Sequence, residues 1–332
     1  MKTPISFLLT DTHLSPFNIS LVENLFQEGI EICKKKNIKT FIHIGDFFET
    51  RASLTYEVIN SATKIFKWLN DSGLSVHIIA GNHDRPYVGR NSYLSLFSIF
   101  FSNIHIYEEI SCFNYSDTLD FVFLPNHDKC LDEKLRIANF EALSKKKKNI
   151  LFAHHQFTEI PVEIQSKFDL ILMGHLHDKE KISKKALYIG SGYQQNFSED
   201  SDKGFTILYD DLSLKQIKSN FKEFFVQRVD LNAFTELEVK SFIENFRVSN
   251  PDKFLRIVLE GTNKDTVDLK EFCKSLDIEV VSNVQNLATK SDELYLSELS
   301  KDQIFEYFEE YSKLNNTSKE IKDILLSIFG EG

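Results

Sequence analysis

Residues 75–84, Ser-Val-His-Ile-Ile-Ala-Gly-Asn-His-Asp, contain a short apolar run that stops abruptly at polar side chains. A run of this length, rich in β-branched residues and bounded by glycine, predicts a buried β-strand. The predicted strand covers 75–80, and the polar group Gly-Asn-His-Asp at 81–84 follows it at once. Strand and polar group together predict a buried sheet that presents functional side chains at one of its edges.

Four other apolar runs end in the same way, at 11–13 (Asp-Thr-His), 45–46 (Gly-Asp), 154–155 (His-His) and 174–177 (Gly-His-Leu-His). Apolar residues recur at helical spacing at 21–33 and 54–69, which predicts helices that connect the first three strands. In sheets built from such crossovers, ligands bind beyond the carboxyl ends of the strands. We therefore expect the five polar groups to meet in space although they are far apart in sequence.

The fold class predicted from this order is α/β. Further short aromatic or branched runs, at 103–107, 121–124, 186–189 and 204–209, predict additional strands. We expect two sheets packed face to face with helices outside, an αββα sandwich, over residues 1–218. A composition shift at 211–222 precedes a predicted small α+β cap at 219–290, and two amphipathic helical patterns predict a helical C-terminal segment at 291–332.

The polar groups supply carboxylates, imidazoles and one carboxamide, which are donors that suit divalent manganese, iron or zinc. Residues i and i+2 of an extended segment project to the same side, so Asp11 and His13 can hold one ion together, and His175 and His177 also share a side. Asp46 is the candidate to bridge two ions, because a carboxylate has two oxygens. Two ions about 3.5–4 Å apart can hold a hydroxide and polarise a phosphoryl group.

Each donor taken alone also has a purely structural explanation. Asp11 and Asp46 fit helix N-caps, Asn82 fits a turn beside glycine, and a single histidine is more often a core residue than a ligand. Five such groups, each at a predicted strand end, favour a metal site. In the pair 154–155 we prefer His154 because it directly follows the apolar run, and His155 stays the alternative.

The chain has 332 residues, of which 42% are hydrophobic and 27% charged, and this composition predicts a globular, soluble protein. Four scattered cysteines without a Cys-x-x-Cys pair indicate neither disulfides nor a zinc knuckle. No membrane span or leader is evident, so we expect a cytoplasmic protein. A net charge of −10 argues against a basic nucleic-acid-binding surface. Bound divalent ions would still attract a phosphate.

The five polar groups, in this order, resemble those of the calcineurin-like metallophosphoesterase superfamily over residues 7–205. The resemblance implies that Asp11, His13, Asp46 and His177 hold a first ion. It implies that Asp46, Asn82, His154 and His175 hold a second. It further implies that His83 stays free of the metals as general acid or transition-state stabiliser, with Asp84 orienting it.

Residues 190–205 resemble the Gly-Ser-x-x-Gln-x-x-Phe-x-Glu…Lys-Gly segment of SbcD-type DNA double-strand-break repair nucleases. Residues 45–49 and 80–84 also resemble that family's versions of the second and third polar groups. The chain departs from the family pattern at Gly192, where proline is common, and its short length resembles that of the compact, phage-type members. The resemblance implies a manganese-dependent DNA nuclease, with 3′–5′ exonuclease and single-strand endonuclease activity, whose cap presents DNA.

The same resemblance implies partners. The tail would bind an SbcC-type, SMC-like coiled-coil ATPase, and a homodimer within a heterotetramer would form, with the helices predicted at 54–69 and 92–101 as its interface. One alternative is a small-molecule phosphatase or cyclic-nucleotide phosphodiesterase on the same metal centre. Another is a scaffold for the ATPase that has lost catalysis.

Overall fold

The computed structural model describes residues 2–86, 91–126, 140, 143, 146–251, 253–262 and 267–285. The predicted helical segment at 291–332 lies outside the described residues.

The strands, in chain order, are β1 (Pro4–Leu9), β2 (Thr40–Ile44), β3 (Ser75–Ile79), β4 (Ile104–Tyr107), β5 (Ser111–Ser116), β6 (Leu119–Leu124), β7 (Lys148–Ala153), β8 (Leu170–Met173), β9 (Glu180–Lys181), β10 (Ala186–Tyr188), β11 (Gly204–Tyr209), β12 (Leu214–Lys218), β13 (Phe224–Asp230), β14 (Phe254–Thr262) and β15 (Glu279–Gln285). The helices are α1 (Ile19–Lys36), α2 (Tyr56–Asp71), α3 (Ser95–Ser98), α4 (Val162–Gln165), α5 (Glu236–Ser249) and α6 (Val267–Ser275).

Two six-stranded mixed sheets form the first part of the chain. The first has the order β12-β11-β1-β2-β3-β4, in which β1 to β4 are parallel and β11 and β12 are antiparallel to their neighbours. The second has the order β5-β6-β7-β8-β10-β9, with a parallel centre from β6 to β10. The α/β fold of two sheets with helices is therefore confirmed.

Alternation along the strands builds the core in layers. On β1, Phe7 and Leu9 pack with the apolar side chains of α1 and α2, whereas Leu8 packs with residues of the second sheet such as Phe123 and Phe152. Because successive side chains of a strand point to opposite faces, β1 contributes to both layers. The central strands are thus buried on both sides, and only their ends are free to carry chemistry.

Among the described residues, a second compact unit comprises 227–249, 257–262 and 267–285, while 250, 251 and 253–256 group with the first unit. It contains most of the three-stranded sheet β13-β14-β15 and the helices α5 and α6. Ile243 of α5, Ile257 and Leu259 of β14, and Cys273 of α6 are buried in it. This unit is an α+β module that begins at 227, and a cap over 219–290 stays a prediction.

Some elements differ from the prediction. The edge strands β5, β9 and β12 were not predicted, because edge strands are partly solvated and lack a continuous apolar run. The helix predicted at 92–101 was wrong in length, since only Ser95–Ser98 is α-helical and turns flank it on both sides. None of the helices in the described part of the chain combines the length and apolar character that a membrane span requires.

Candidate metal centre

The five polar groups lie at the carboxyl ends of parallel strands in the two sheets. Residues 11–13 follow β1, 45–46 follow β2, 81–84 follow β3, 154–155 follow β7 and 174–177 follow β8. We use the name donor cluster for the seven side chains that were predicted as ligands: Asp11, His13, Asp46, Asn82, His154, His175 and His177. The structure brings all seven together. Their ligand atoms fall into two groups around Asp11 and around Asp46, and a third group, His13, Asp46 and His83, connects the two.

The backbone of the donor cluster is unusual. Asp11, His13, Asp46 and His175 have positive φ values of 51°, 44°, 53° and 83°. Residues with a side chain rarely adopt this left-handed conformation, and such strain is concentrated at functional sites. The extended geometry assumed for 11–13 was therefore wrong: Asp11 and His13 converge through two left-handed residues.

Two glycines allow the strand ends to approach each other closely. A Cβ atom on Gly45, which has a φ of 86°, would overlap the His154 ring. A Cβ atom on Gly81 would overlap the backbone and carboxylate of Asp46. Any larger residue at either position would push a donor side chain out of place.

One group in the donor cluster consists of Asp11, His13 and His177. The Nε2 atoms of His13 and His177 are 3.1 Å apart, and His13 Nε2 lies 3.9 Å from Asp11 Oδ1. Backbone and side-chain donors hold Asp11 in place, because its carboxylate accepts hydrogen bonds from the Thr10 hydroxyl and from the His175 amide. Three ligand atoms thus converge beyond β1 and β8.

A second group contains Asp46, His154 and His175, with Asn82 beside them. His154 Nε2 lies 3.1 Å from Asp46 Oδ2 and 3.2 Å from Asn82 Oδ1, and His175 Nδ1 lies 3.1 Å from the same amide oxygen. Asp46 Oδ2 is also 3.7 Å from His13 Nε2, so Asp46 lies between the two groups.

His155 lies apart from the donor cluster although it is as deeply buried as His154. Its Nδ1 is 3.1 Å from Glu159 Oε2, and its Nε2 is 3.0 Å from the Pro125 carbonyl oxygen. Of the two neighbouring histidines, the structure brings His154 to Asp46 and Asn82.

Asp84 was expected to orient the His83 ring, but that ring donates its hydrogen bond to the Glu49 carbonyl instead. The His83 Nδ1 donates to the Glu49 carbonyl oxygen at 2.6 Å, and the His83 amide donates to Asp46 Oδ1 at 2.8 Å. Both Asp84 oxygens accept from backbone amides, of Phe48 at 2.9 Å and of Gly81 at 2.8 Å. Asp84 therefore braces the loops that carry His83, while the Glu49 carbonyl fixes the His83 ring.

The charged side chains in and beside the donor cluster shift one another's pKa values. Burial lowers the pKa of His154, but the Asp46 carboxylate outweighs this effect and raises the His154 pKa to about 10. Burial raises the pKa of Asp46, but His154 and His13 hold it well below its usual range. Burial and the nearby Asp46 charge together raise the pKa of Asp84. The donor cluster therefore favours a bound cation.

The arrangement of acceptors fits a divalent metal. His154 Nδ1 donates to the Ile44 carbonyl oxygen at 2.7 Å, so in the neutral ring Nε2 is an acceptor. That Nε2 faces two further acceptor oxygens, on Asp46 and Asn82. This buried place requires a positive charge: in the metal-free protein a proton on His154 Nε2, donated to Asp46, supplies it, and a divalent metal on the neutral ring would supply it instead. Carboxylate, imidazole and carboxamide donors suit manganese, iron or zinc.

Two carboxylates that sequence reasoning did not assign also touch the donor cluster. Glu49 Oε2 lies 2.9 Å from His13 Nδ1, and Glu199 Oε1 lies 2.9 Å from His177 Nδ1. Both residues occur in segments that carry the family resemblance, which was the available signal. Spacing alone did not identify which histidine each carboxylate reaches.

A cleft of about 960 Å³ opens beside His13 and His177. Its apolar walls come from residues 14–21 on one side and from Phe224 and Phe254 on the other, and Gln195 and Asn196 add polar groups. Phe17 in this cleft is 99% exposed. The cleft thus combines an aromatic surface with the edge of the donor cluster.

A family model described as calcineurin-like phosphoesterase matches residues 7–179, which contain every member of the donor cluster. Exonuclease subunit 1 of Enterobacteria phage T4 is 39% identical over 61 residues, 18% of each chain. The DNA double-strand break repair protein Mre11 of Methanocaldococcus jannaschii is 26% identical over 189 residues, 52% of this chain and 50% of that protein. The protein of the same name from Thermoplasma acidophilum is 23% identical over 299 residues, 82% of this chain and 77% of that protein.

The matches with the phage T4 and Methanocaldococcus jannaschii proteins thus span about a fifth and a half of those proteins. The family match is broader, because its 7–179 range covers more than half of this chain. The chain belongs to the calcineurin-like phosphoesterase family.

Proposed function

We propose that this protein is a manganese-dependent DNA nuclease, with 3′–5′ exonuclease and single-strand endonuclease activity, that acts in double-strand-break repair and recombination. Hydrolysis of a phosphoester is supported by the donor cluster and by the family. Action on DNA is supported by likeness to proteins described as an exonuclease subunit and as double-strand break repair proteins. The observation that carries the choice of a nucleic-acid substrate is the aromatic cleft beside the donor cluster.

The residues of the donor cluster would divide the metal-binding task. Asp11, His13 and His177 would hold one ion, Asn82, His154 and His175 the other, and Asp46 both. When bound, such an ion pair supplies a hydroxide nucleophile at neutral pH and neutralises charge on the phosphoryl group. Asp46 is suited to the shared position because it lies between the two groups of donors.

His83 would supply a proton to the leaving oxygen. Its Nδ1–H is held by the Glu49 carbonyl, so its Nε2 is the atom that can exchange a proton with the substrate. Asp84 would support this task indirectly, by fixing the 81–84 loop through the Gly81 amide and the preceding loop through the Phe48 amide.

The cleft supports a substrate larger than a phosphate ester of a small alcohol. Exposed aromatic side chains stack on nucleobases, and each such stack is worth about 1–3 kcal/mol. Phe17, Phe224 and Phe254 line the cleft, and Lys222 lies 4.4 Å above the Phe254 ring. A small-molecule phosphatase or a cyclic-nucleotide phosphodiesterase has no need of three phenylalanines along this cleft.

The partners follow from the same proposal. An SbcC-type, SMC-like coiled-coil ATPase would bind the 291–332 segment, which lies outside the described residues. A homodimer, within a heterotetramer with that ATPase, would use α2 and the 92–101 segment. Its support is a group of exposed apolar side chains on these elements: Tyr56, Ile59, Leu96, Ile99 and Phe100.

The test is cleavage of end-labelled duplex and single-stranded DNA by the purified protein with manganese, with and without the ATPase partner. We expect products that are shortened progressively from the 3′ end, and we expect a chelator to abolish cleavage. Absence of DNA cleavage, together with fast hydrolysis of p-nitrophenyl phosphate, would instead identify a small-molecule phosphatase.

A further inference from the structure

Residues 190–203 form a loop that returns to the donor cluster from a distance in sequence. Gln195 Nε2 donates to the Asp11 carbonyl oxygen at 2.6 Å, and the Tyr193 hydroxyl donates to the Thr12 carbonyl oxygen at 2.9 Å. The buried end of the loop contains an ion pair, Glu199 and Lys203, whose oxygen and nitrogen atoms are 3.0 Å apart. These two charges lie directly behind His177.

Glu199 has a complete set of hydrogen-bond partners. Its Oε1 is 2.9 Å from His177 Nδ1 and accepts from Asn196 Nδ2 at 2.8 Å. Its Oε2 accepts a hydrogen bond from the backbone amide of Gln195 at 3.1 Å and another from Lys203 Nζ. The Glu199 side chain is 7% exposed, so four partners rather than water satisfy it.

Lys203 is paired just as fully. Its side chain is 1% exposed, and Nζ donates to the His177 carbonyl oxygen at 2.6 Å, to Asp178 Oδ1 at 2.7 Å and to Glu199 Oε2. An ammonium has three protons, and three oxygens receive them. A lysine buried to this extent persists only when its charge is matched. Lys203 therefore holds two groups in place, the backbone carbonyl of His177 and the Glu199 carboxylate that contacts the His177 ring.

This pairing dictates the tautomer of His177. An ionised carboxylate only accepts hydrogen bonds, so His177 Nδ1 must carry the proton. In the neutral ring the other nitrogen, Nε2, then bears a lone pair, and it faces His13 Nε2 at 3.1 Å. Outer partners that fix a ring in this way commonly set the strength of a metal site.

We propose that Glu199 and Lys203 are positioning residues that fix the orientation and tautomer of His177, so that its Nε2 lone pair points to a divalent cation shared with Asp11 and His13. This inference rests on the proposed metal centre, but it does not require that the substrate is DNA.

The direct test is Glu199→Gln. Lys203 Nζ and the backbone amide of Gln195 still donate to the Oε2 position, against the single donor Asn196 Nδ2 at the Oε1 position, so the new amide turns its NH₂ group towards His177 Nδ1. That nitrogen must then accept, and the ring proton moves to Nε2, where it blocks the lone pair. We expect the affinity for one of two Mn²⁺ ions to fall about 10- to 100-fold in titration calorimetry, with the other ion little affected.

The tautomer is read separately, in the metal-free protein, from ¹⁵N chemical shifts of labelled histidine. We expect a Nδ1–H tautomer for His177 in the unchanged protein and a Nε2–H tautomer in Glu199→Gln. In the double variant Glu199→Gln/Lys203→Met the amide is free to turn its oxygen to His177, so the Nδ1–H tautomer and part of the lost affinity should return.

Glu159→Gln is the matched control, because Glu159 Oε2 lies 3.1 Å from Nδ1 of His155, a histidine outside the donor cluster. We expect this variant to bind both ions as the unchanged protein does. Unchanged Mn²⁺ affinity and an unchanged His177 tautomer in Glu199→Gln would overturn the inference, and so would an equal loss in the control. Normal binding of two ions without any DNA cleavage would overturn the nuclease proposal alone.

Discussion

At the scale of single residues, His83 lies beside His13 and Asp46, close enough to form a third group of ligand atoms with them, and we propose that it acts as a proton donor. Its backbone amide is held by Asp46 and its ring by the Glu49 carbonyl, and it meets the His13 ring edge-on at 4.8 Å. These contacts orient the ring without using Nε2. A group that is fixed through one nitrogen and free at the other suits general acid catalysis.

We predict that His83→Gln lowers kcat for DNA cleavage about 100- to 10,000-fold, the usual contribution of a general acid. Binding of Mn²⁺ should be unchanged, because seven other side chains form the donor cluster. Steady-state kinetics and titration calorimetry on the same preparation check the two expectations. A kcat within a few-fold of the original, or loss of a metal ion, would show that His83 has another task.

Phe17 offers a second residue-scale prediction. If this side chain stacks on a nucleobase, Phe17→Ala should reduce kcat/KM for single-stranded DNA about 5- to 150-fold, equivalent to about 1–3 kcal/mol. Phe17→Trp should retain most of the activity. The measurement is cleavage of an oligonucleotide and, in parallel, hydrolysis of bis-p-nitrophenyl phosphate.

The small diester has no base, so its hydrolysis should be the same in Phe17→Ala and in the unchanged protein. Val162→Ala serves as a control for removal of an exposed apolar side chain, because Val162 does not line the cleft. An equal loss on both substrates would mean that Phe17 supports the site and does not contact a base.

Sequence patterns predicted the members of the donor cluster but not what holds them. Donor side chains are visible because each follows an apolar run, as Asp46 follows 40–44. The carboxylates behind them, Glu49 and Glu199, follow no such rule, since an imidazole can be reached from any nearby loop. The left-handed backbone at Asp11 and His13 was also hidden, because neither residue is glycine.

At the scale of elements, buried strands could be predicted closely, whereas the edge strands β5, β9 and β12 could not. β2, β8 and β11 have the bounds that their apolar runs indicate. β12, with the sequence Leu-Lys-Gln-Ile-Lys, alternates polar and apolar residues at the edge of the first sheet, and its composition resembles that of a linker. A strand that is buried on both faces has a continuous apolar run, and this run is what allows its prediction from the sequence.

β3 carries a buried histidine that should make stability depend on pH. His77 is fully buried among aromatic rings, including Phe123 at 5.3 Å, and its nitrogens are bonded to Ser75 and Tyr107. Burial, together with the nearby His105, lowers the pKa of His77 to about 3. The folded ring therefore stays neutral at pH values where an exposed histidine is charged.

The sign follows from proton binding. Below an ordinary pKa of 6.5 the unfolded chain binds a proton that folded His77 rejects until about pH 3, so this residue destabilises the fold as pH falls through that window. We predict that its share of the loss between pH 7 and pH 4.5 is on the order of 2–3 kcal/mol. Urea unfolding at several pH values measures it.

His77→Gln should flatten the dependence of the unfolding free energy on pH in this window, whatever its effect at pH 7. The control is His105→Gln, which removes the neighbouring histidine and should leave most of the slope, because burial is the main cause of the shift. An unchanged slope in His77→Gln would mean that the loss of stability in acid originates elsewhere.

At the scale of the whole molecule, a group of apolar side chains on α2 and the 92–101 segment is exposed among the residues that the structure describes. Phe66 of α2 stacks on Phe97 of α3 at 4.5 Å, which fixes the 92–101 segment against the first unit. Ile99 and Phe100 then remain 80% and 76% exposed. Exposed apolar residues grouped in this way are typical of protein interfaces.

We predict that the protein is a dimer in solution and that Ile99→Glu/Phe100→Glu makes it a monomer, because two carboxylates cannot be buried unpaired in an apolar interface. Light scattering coupled to gel filtration should change from twice the 38.5 kDa mass of one chain to that of a single chain. The matched control is Val162→Glu, which places a charge at a 72% exposed valine on α4 and should leave the dimer intact. Because these side chains are exposed in the single chain, the fold of the monomer should persist, with an unfolding midpoint that no longer depends on protein concentration. A protein that is already monomeric at tens of micromolar before substitution would exclude this interface, and the exposed residues would then have to contact a different partner.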